Sequence, residues 1–70
     1  MISTATEHHA DYVGQDRWVV DWLPGRQFDT RAARTAMWIA AAPEWPDVER
    51  WAPQLGLTAA EARSYVAGVA

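Results

Sequence analysis

The only imidazoles in this chain are the adjacent pair His8-His9, and no cysteine accompanies them. Neighbouring histidines project in different directions and chelate poorly, and there is no further His or Cys to complete a metal site. The lack of cysteine also removes disulfides and thiol chemistry. Asp21, set among Trp18, Val20 and Trp22, is the one acid expected to be half buried. Pairing with an arginine is its plainest role, ahead of acting as a base. Thr58 and Ser64 carry hydroxyls, but no partner base is evident. No glycine-rich phosphate loop is present. No catalytic residue, cofactor or metal ligand is assigned.

The residues that remain suit binding. Arg17–Asp29 holds two of the five tryptophans, Trp18 and Trp22, together with Arg26 and a Pro24-Gly25 pair. Arg31, Arg34 and Trp38 follow at helical spacing, and Arg34 to Trp38 is an i, i+4 pair suited to cation–π stacking. Tryptophan and arginine are the side chains most enriched at binding hot spots. The interaction set is therefore Trp18, Trp22, Arg26, Arg31, Arg34 and Trp38. Against it stands the plainer reading that Trp38 is core, covered by Trp18 or Trp22.

A second constellation runs from Ala52 through Gly56 to Arg63. A small residue, a glycine and a capped second helix resemble a helix-turn-helix, whose second helix enters the major groove. Thr58, Arg63 and Ser64 would then face DNA. Charge opposes this. The net charge is −3, Asp47, Glu49 and Glu61 flank the site, and DNA affinity rests on neutralising phosphates. The charge is also uneven. Three acids in Met1–Asp16 give −3; four arginines against two acids in Arg17–Arg34 give +2; two arginines against four acids in Thr35–Ala70 give −2.

These side chains need elements to hold them. Seventy residues make one domain at most, and a chain so short has a marginal core unless something staples it. Dense aromatic packing or self-association is what remains available. The polar run 1–15 reads as a flexible arm, ordering near Tyr12 and Val13, with a single small helical domain over 16–70. Arg17–Leu23 alternates like a strand, with Trp18, Val20 and Trp22 on one face and Val19, Asp21 and Leu23 on the other. Pro24-Gly25 should end it in a tight turn. Asp29 should cap an alanine-rich helix over Thr30–Ala42, stopped by Pro43. Its buried face centres on Met37; Arg31, Arg34, Thr35 and Trp38 lie opposite.

Val48, Trp51, Ala52 and Leu55 form the apolar stripe of a second helix, with Pro53 tightening its end. Gly56 is a natural left-handed terminator, and Thr58 with Glu61 makes a capping box for a third helix over Ala59–Val69. Ala62, Tyr65, Val66 and Val69 are its apolar stripe. The predicted fold is mainly α: one short N-terminal strand or hairpin, then three short helices in a compact small domain. The lone strand needs a partner, either Tyr12–Gln15, Arg26–Phe28 or a second copy.

The run Trp18-Val-Val-Asp-Trp22-Leu-Pro-Gly-Arg26, then Phe28-Asp29, Ala33 to Met37, Trp51-Ala52 and Leu55 to Ala62, resembles small hypothetical proteins of actinobacteria and their phages. The resemblance covers most of Arg17–Ala62. It implies an actinobacterial or phage origin and a cytoplasmic setting, and it transfers no functional residue. The absence of a long apolar run predicts no membrane partner. The expected function is non-enzymatic: a protein–protein interaction module, dimerising through the Trp-rich strand or binding another protein. The alternative is a small DNA-binding accessory protein using Thr58–Val69.

Overall fold

The computed structural model describes residues 1 and 3–68; the predicted contribution of Val69 to the last helix lies outside them. Strand β1 (Ala10–Gly14) pairs antiparallel with β2 (Arg17–Val20), which pairs antiparallel with β3 (Leu23–Phe28). The sheet order is β1-β2-β3. Helices α1 (Thr30–Ala41), α2 (Val48–Trp51) and α3 (Ala59–Val66) follow, and a 3-10 turn over Ala52–Leu55 extends α2. Helices take 42% of the described residues and strands 24%, so the mainly α expectation is corrected to a mixed domain.

Both intrachain partners offered for the lone strand, near Tyr12–Gln15 and Arg26–Phe28, pair with it, and two features obscured their extent. In β1, Tyr12 and Val13 are more than half exposed and Asp11 is exposed, so apolar residues do not alternate with polar ones. The β1–β2 reversal is a two-residue turn at Gln15-Asp16, both with φ near +55 to +59°. That is the type I′ geometry matched to strand twist. The expected boundary between arm and domain at residue 16 thus falls inside a hairpin. Across it, the Tyr12 and Trp18 rings meet edge-on at 5.1 Å.

The second feature is the Pro24-Gly25 pair. It does not end a strand; it lies within β3. The chain reverses earlier, at Asp21-Trp22, so that Val20 faces Leu23 and both are buried. This corrects the placing of Val20 and Leu23 on opposite faces. The next pair is Trp18 with Phe28, so β3 carries a bulge between its ends. Proline is tolerated because β3 is an edge strand. Glycine supplies the positive φ (+80°) that lets the bulge turn. Strand β2 is therefore central, and both its edges are taken; pairing of this strand with a second copy is closed.

The helices form where their caps place them. The Asp29 carboxylate accepts from the Ala32 amide at 2.8 Å, satisfying a donor the first turn would otherwise leave free. α1 packs against β2 and β3 on one side and against α2, its 3-10 extension and α3 on the other. Ala33, Ala36, Met37, Ile39 and Ala40 of α1 are buried with Val20, Leu23 and Phe28 from the sheet and Val48, Ala52, Leu55 and Ala62 from the later helices. Its many alanines permit this close approach from two sides. Gly56 takes the left-handed conformation (φ +75°) at the end of the 3-10 turn, and both halves of the Thr58–Glu61 capping box form.

Candidate functional site

Arg31, Arg34 and Trp38 all reach the surface of α1. Trp38 is 49% exposed. It is covered by neither Trp18 nor Trp22; its ring leans on that of Trp51, 5.7 Å away at 43°. Trp51 comes from the end of α2, so the tertiary fold fixes the orientation of a tryptophan that faces solvent. Beside it, Met1, Ser3, Arg34, Met37, Trp38 and Ala41 line an open cleft of about 360 Å³. Among the described residues the cation–π contact is formed elsewhere, by Arg26 over the Phe28 ring at 5.0 Å. Thr35, expected on this outer face, is buried at 3% exposure. Its one hydroxyl proton is shared between the Arg31 carbonyl at 3.2 Å and Gln54 Oε1 at 3.4 Å, which offsets the cost of burying it.

The other members of the interaction set are dispersed. Trp18 is half buried and donates its indole N–H to Thr30 Oγ1 at 2.9 Å. Trp22 is 5% exposed and stands in the β2–β3 turn. Arg26 lies on β3 and donates to the Leu55 carbonyl at 2.7 Å. Trp22 and Arg26 share a separate cleft with Leu23, Pro24, Leu57 and Tyr65, which has no lining residue in common with the Trp38 cleft. The single Trp/Arg surface suggested by the sequence is thus two surfaces.

The DNA-facing set is occupied internally. The Thr58 hydroxyl accepts from the Glu61 amide. Arg63 donates through Nε to the Pro43 carbonyl at 2.8 Å and through a terminal nitrogen to the Trp45 carbonyl at 3.4 Å. It also lies 3.7 Å from a Glu49 carboxylate oxygen. Arg63 is a brace that ties α3 to the loop after α1. Of the three, Ser64 alone is exposed and unengaged among the described residues.

Sequence reasoning missed one cluster. His8 is half buried, with Nδ1 3.1 Å from the Asp21 carboxylate and Nε2 2.9 Å from the Val66 carbonyl. His9 donates its amide to Asp21 and holds its ring 3.6 Å from the same carboxylate and 3.4 Å from that of Asp11. Asp21 is therefore paired with histidines, not with an arginine. Burial alone would lower the His8 pKa. The Val66 carbonyl, the hydrogen bond and charge of Asp21 and the charge of Glu7 together outweigh it and hold the imidazole above its ordinary range. No local pattern announces this clamp, because Val66 is 58 residues away. Among the described residues no three His, Asp or Glu side chains are placed to hold a metal ion. Among the described residues no helix is long and apolar enough to cross a membrane.

No family model, curated protein or solved structure matches this chain.

Proposed function

We propose that the chain is a non-enzymatic protein-interaction module that self-associates through the face of α1 bearing Arg31, Arg34 and Trp38. The observation that carries this reading is Trp38 itself. It is half exposed on the longest helix, between buried Met37 and buried Ile39, and Trp51 braces its ring. An aromatic already fixed in the free protein loses little entropy on docking, which is how preorganised anchors gain affinity.

Charge supports a second copy as the occupant. Arg31 and Arg34 give this face a positive sign on a chain of net charge −3. The exposed Glu44 and Glu49 supply acidic surface elsewhere on a copy, and opposite patches favour association and fix its orientation. A cytoplasmic setting belongs to the same proposal and rests on the sequence resemblance alone. The contact face differs from the Trp-rich strand first expected, since β2 is enclosed by β1 and β3.

Sedimentation of the wild type against Trp38→Ala and Arg34→Ala tests the reading. Arg34 is exposed, so its loss leaves the fold intact. Both variants are expected to sediment nearer to the 7.8 kDa monomer than the wild type at equal concentration. Wild-type mass that stays monomeric at every concentration, or variants that associate as strongly as the wild type, would defeat it.

A further inference from the structure

The cleft lined by Trp22 and Arg26 has its own chemistry. Trp22, Leu23, Pro24, Leu57 and Tyr65 give it apolar walls, and Arg26 is its one charged side chain. Arg26 is fixed by its bond to the Leu55 carbonyl and by the Phe28 ring. Among the described residues it has no carboxylate partner, and one of its guanidinium nitrogens is committed to Leu55. Trp22 carries a further donor that is itself buried. Its indole nitrogen is the one buried side-chain polar atom left without a partner among the described residues. Tryptophan N–H and guanidinium groups donate and cannot accept. Tyr65 is the only lining side chain that can do either.

The three acids closest in sequence to the lining, Asp21, Asp29 and Glu61, are engaged elsewhere. Asp21 is held by His8 and His9, Asp29 accepts from the Ala32 amide, and Glu61 accepts from the Thr58 amide. The cleft is therefore apolar, with a positive charge at Arg26. At about 290 Å³ it matches the low end of small-ligand sites, which run upward from roughly 300 Å³. That is too little for a folded peptide segment.

We propose that this cleft binds a small apolar carboxylate, an aromatic or branched aliphatic acid. The carboxylate meets Arg26, and the apolar group lies between Pro24, Leu57 and Tyr65. The proposal is independent of the Trp38 face, with which the cleft shares no residue.

Titration of the ¹⁵N-labelled protein with phenylacetate and, separately, with its neutral amide phenylacetamide tests this. Phenylacetate is expected to shift the Trp22 indole N–H and the Leu57 and Tyr65 amides, and to bind about tenfold more tightly than the amide, the loss typical of one charge-assisted bond. Arg26→Gln should erase that preference. Because Arg26 also braces Leu55, the acid-against-amide comparison on the wild type is decisive even where the variant fails to fold. Equal binding of acid and amide, shifts that bypass Trp22 and Tyr65, or binding only of a peptide ending in a leucine carboxylate would each overturn the proposal.

Discussion

At the scale of single residues, His8 works through its charge state. Both ring nitrogens meet acceptors, Asp21 and the Val66 carbonyl. Only the imidazolium donates from both at once; the neutral ring must leave one contact unmade. The folded-state pKa is raised, so the folded protein binds this proton more tightly than the unfolded chain. The stabilisation is complete below the ordinary value of 6.5 and is lost as pH rises through the higher folded-state value. The pair is partly solvated, so the effect should stay under about 1 kcal/mol. Melting curves of wild type and His8→Gln should therefore converge as pH rises from the acid side. Parallel curves across that window would mean the clamp is not a charged one. Thr58 makes a simpler case. Removing its hydroxyl breaks the bond from the Glu61 amide and leaves the reciprocal bond, from the Thr58 backbone N–H to the Glu61 carboxylate, in place. Thr58→Ala should lose about 1 kcal/mol by denaturant titration, and no change would show that the cap is redundant.

At the scale of elements, Arg63 and the β3 bulge explain most of what holds the parts in place. Arg63 offers its donors to two carbonyls of the α1–α2 loop, whose backbone acceptors would otherwise need water. Arg63→Ala should lower stability by roughly 1–3 kcal/mol. Retention on DNA at low salt should be no different between the two proteins, since this guanidinium is committed to the Pro43 and Trp45 carbonyls. A salt-sensitive loss of DNA binding in the variant would restore the helix-turn-helix reading. The caps, the Pro43 stop, the Gly56 terminator and the stripe of Val48, Ala52 and Leu55 were legible because each is a local pattern of a few residues. Strands β1 and β3 were legible only as alternatives, Tyr12–Gln15 or Arg26–Phe28, whereas both pair with β2. The exposure of Tyr12 and Val13 erases alternation in one, and a bulge swallows Pro24-Gly25 in the other. The candidate site divides the same way. The outward turn of Arg31, Arg34 and Trp38 follows from helical spacing, whereas the Trp22–Tyr65 cleft and the His8 clamp join residues distant in sequence.

At the scale of the whole molecule, a 70-residue chain is held by a net stability of roughly 3–10 kcal/mol. Among the described residues its largest fully buried side chain is Ile39 of α1, a member of the core cluster. Ile39→Ala should cost about 2–5 kcal/mol, a large share of the total. Loss of cooperative melting is the expected outcome; a melt within a few degrees of the wild type would show that the core collapses around the gap. A standard protein interface takes about 800 Å² from each partner, a sizeable part of the 4470 Å² this monomer exposes. Association through one α1 face is therefore expected to be weak and reversible on dilution. The five tryptophans provide separate reporters of where it occurs, since each indole N–H gives its own resonance. The most direct test follows the five signals of the ¹⁵N-labelled wild type over a dilution series. Trp38 should move with concentration while Trp18, bonded to Thr30, and the buried Trp22 stay still. Five stationary signals, or movement at Trp18 and Trp22 with Trp38 unchanged, would contradict the assignment of the Trp38 face as the contact surface.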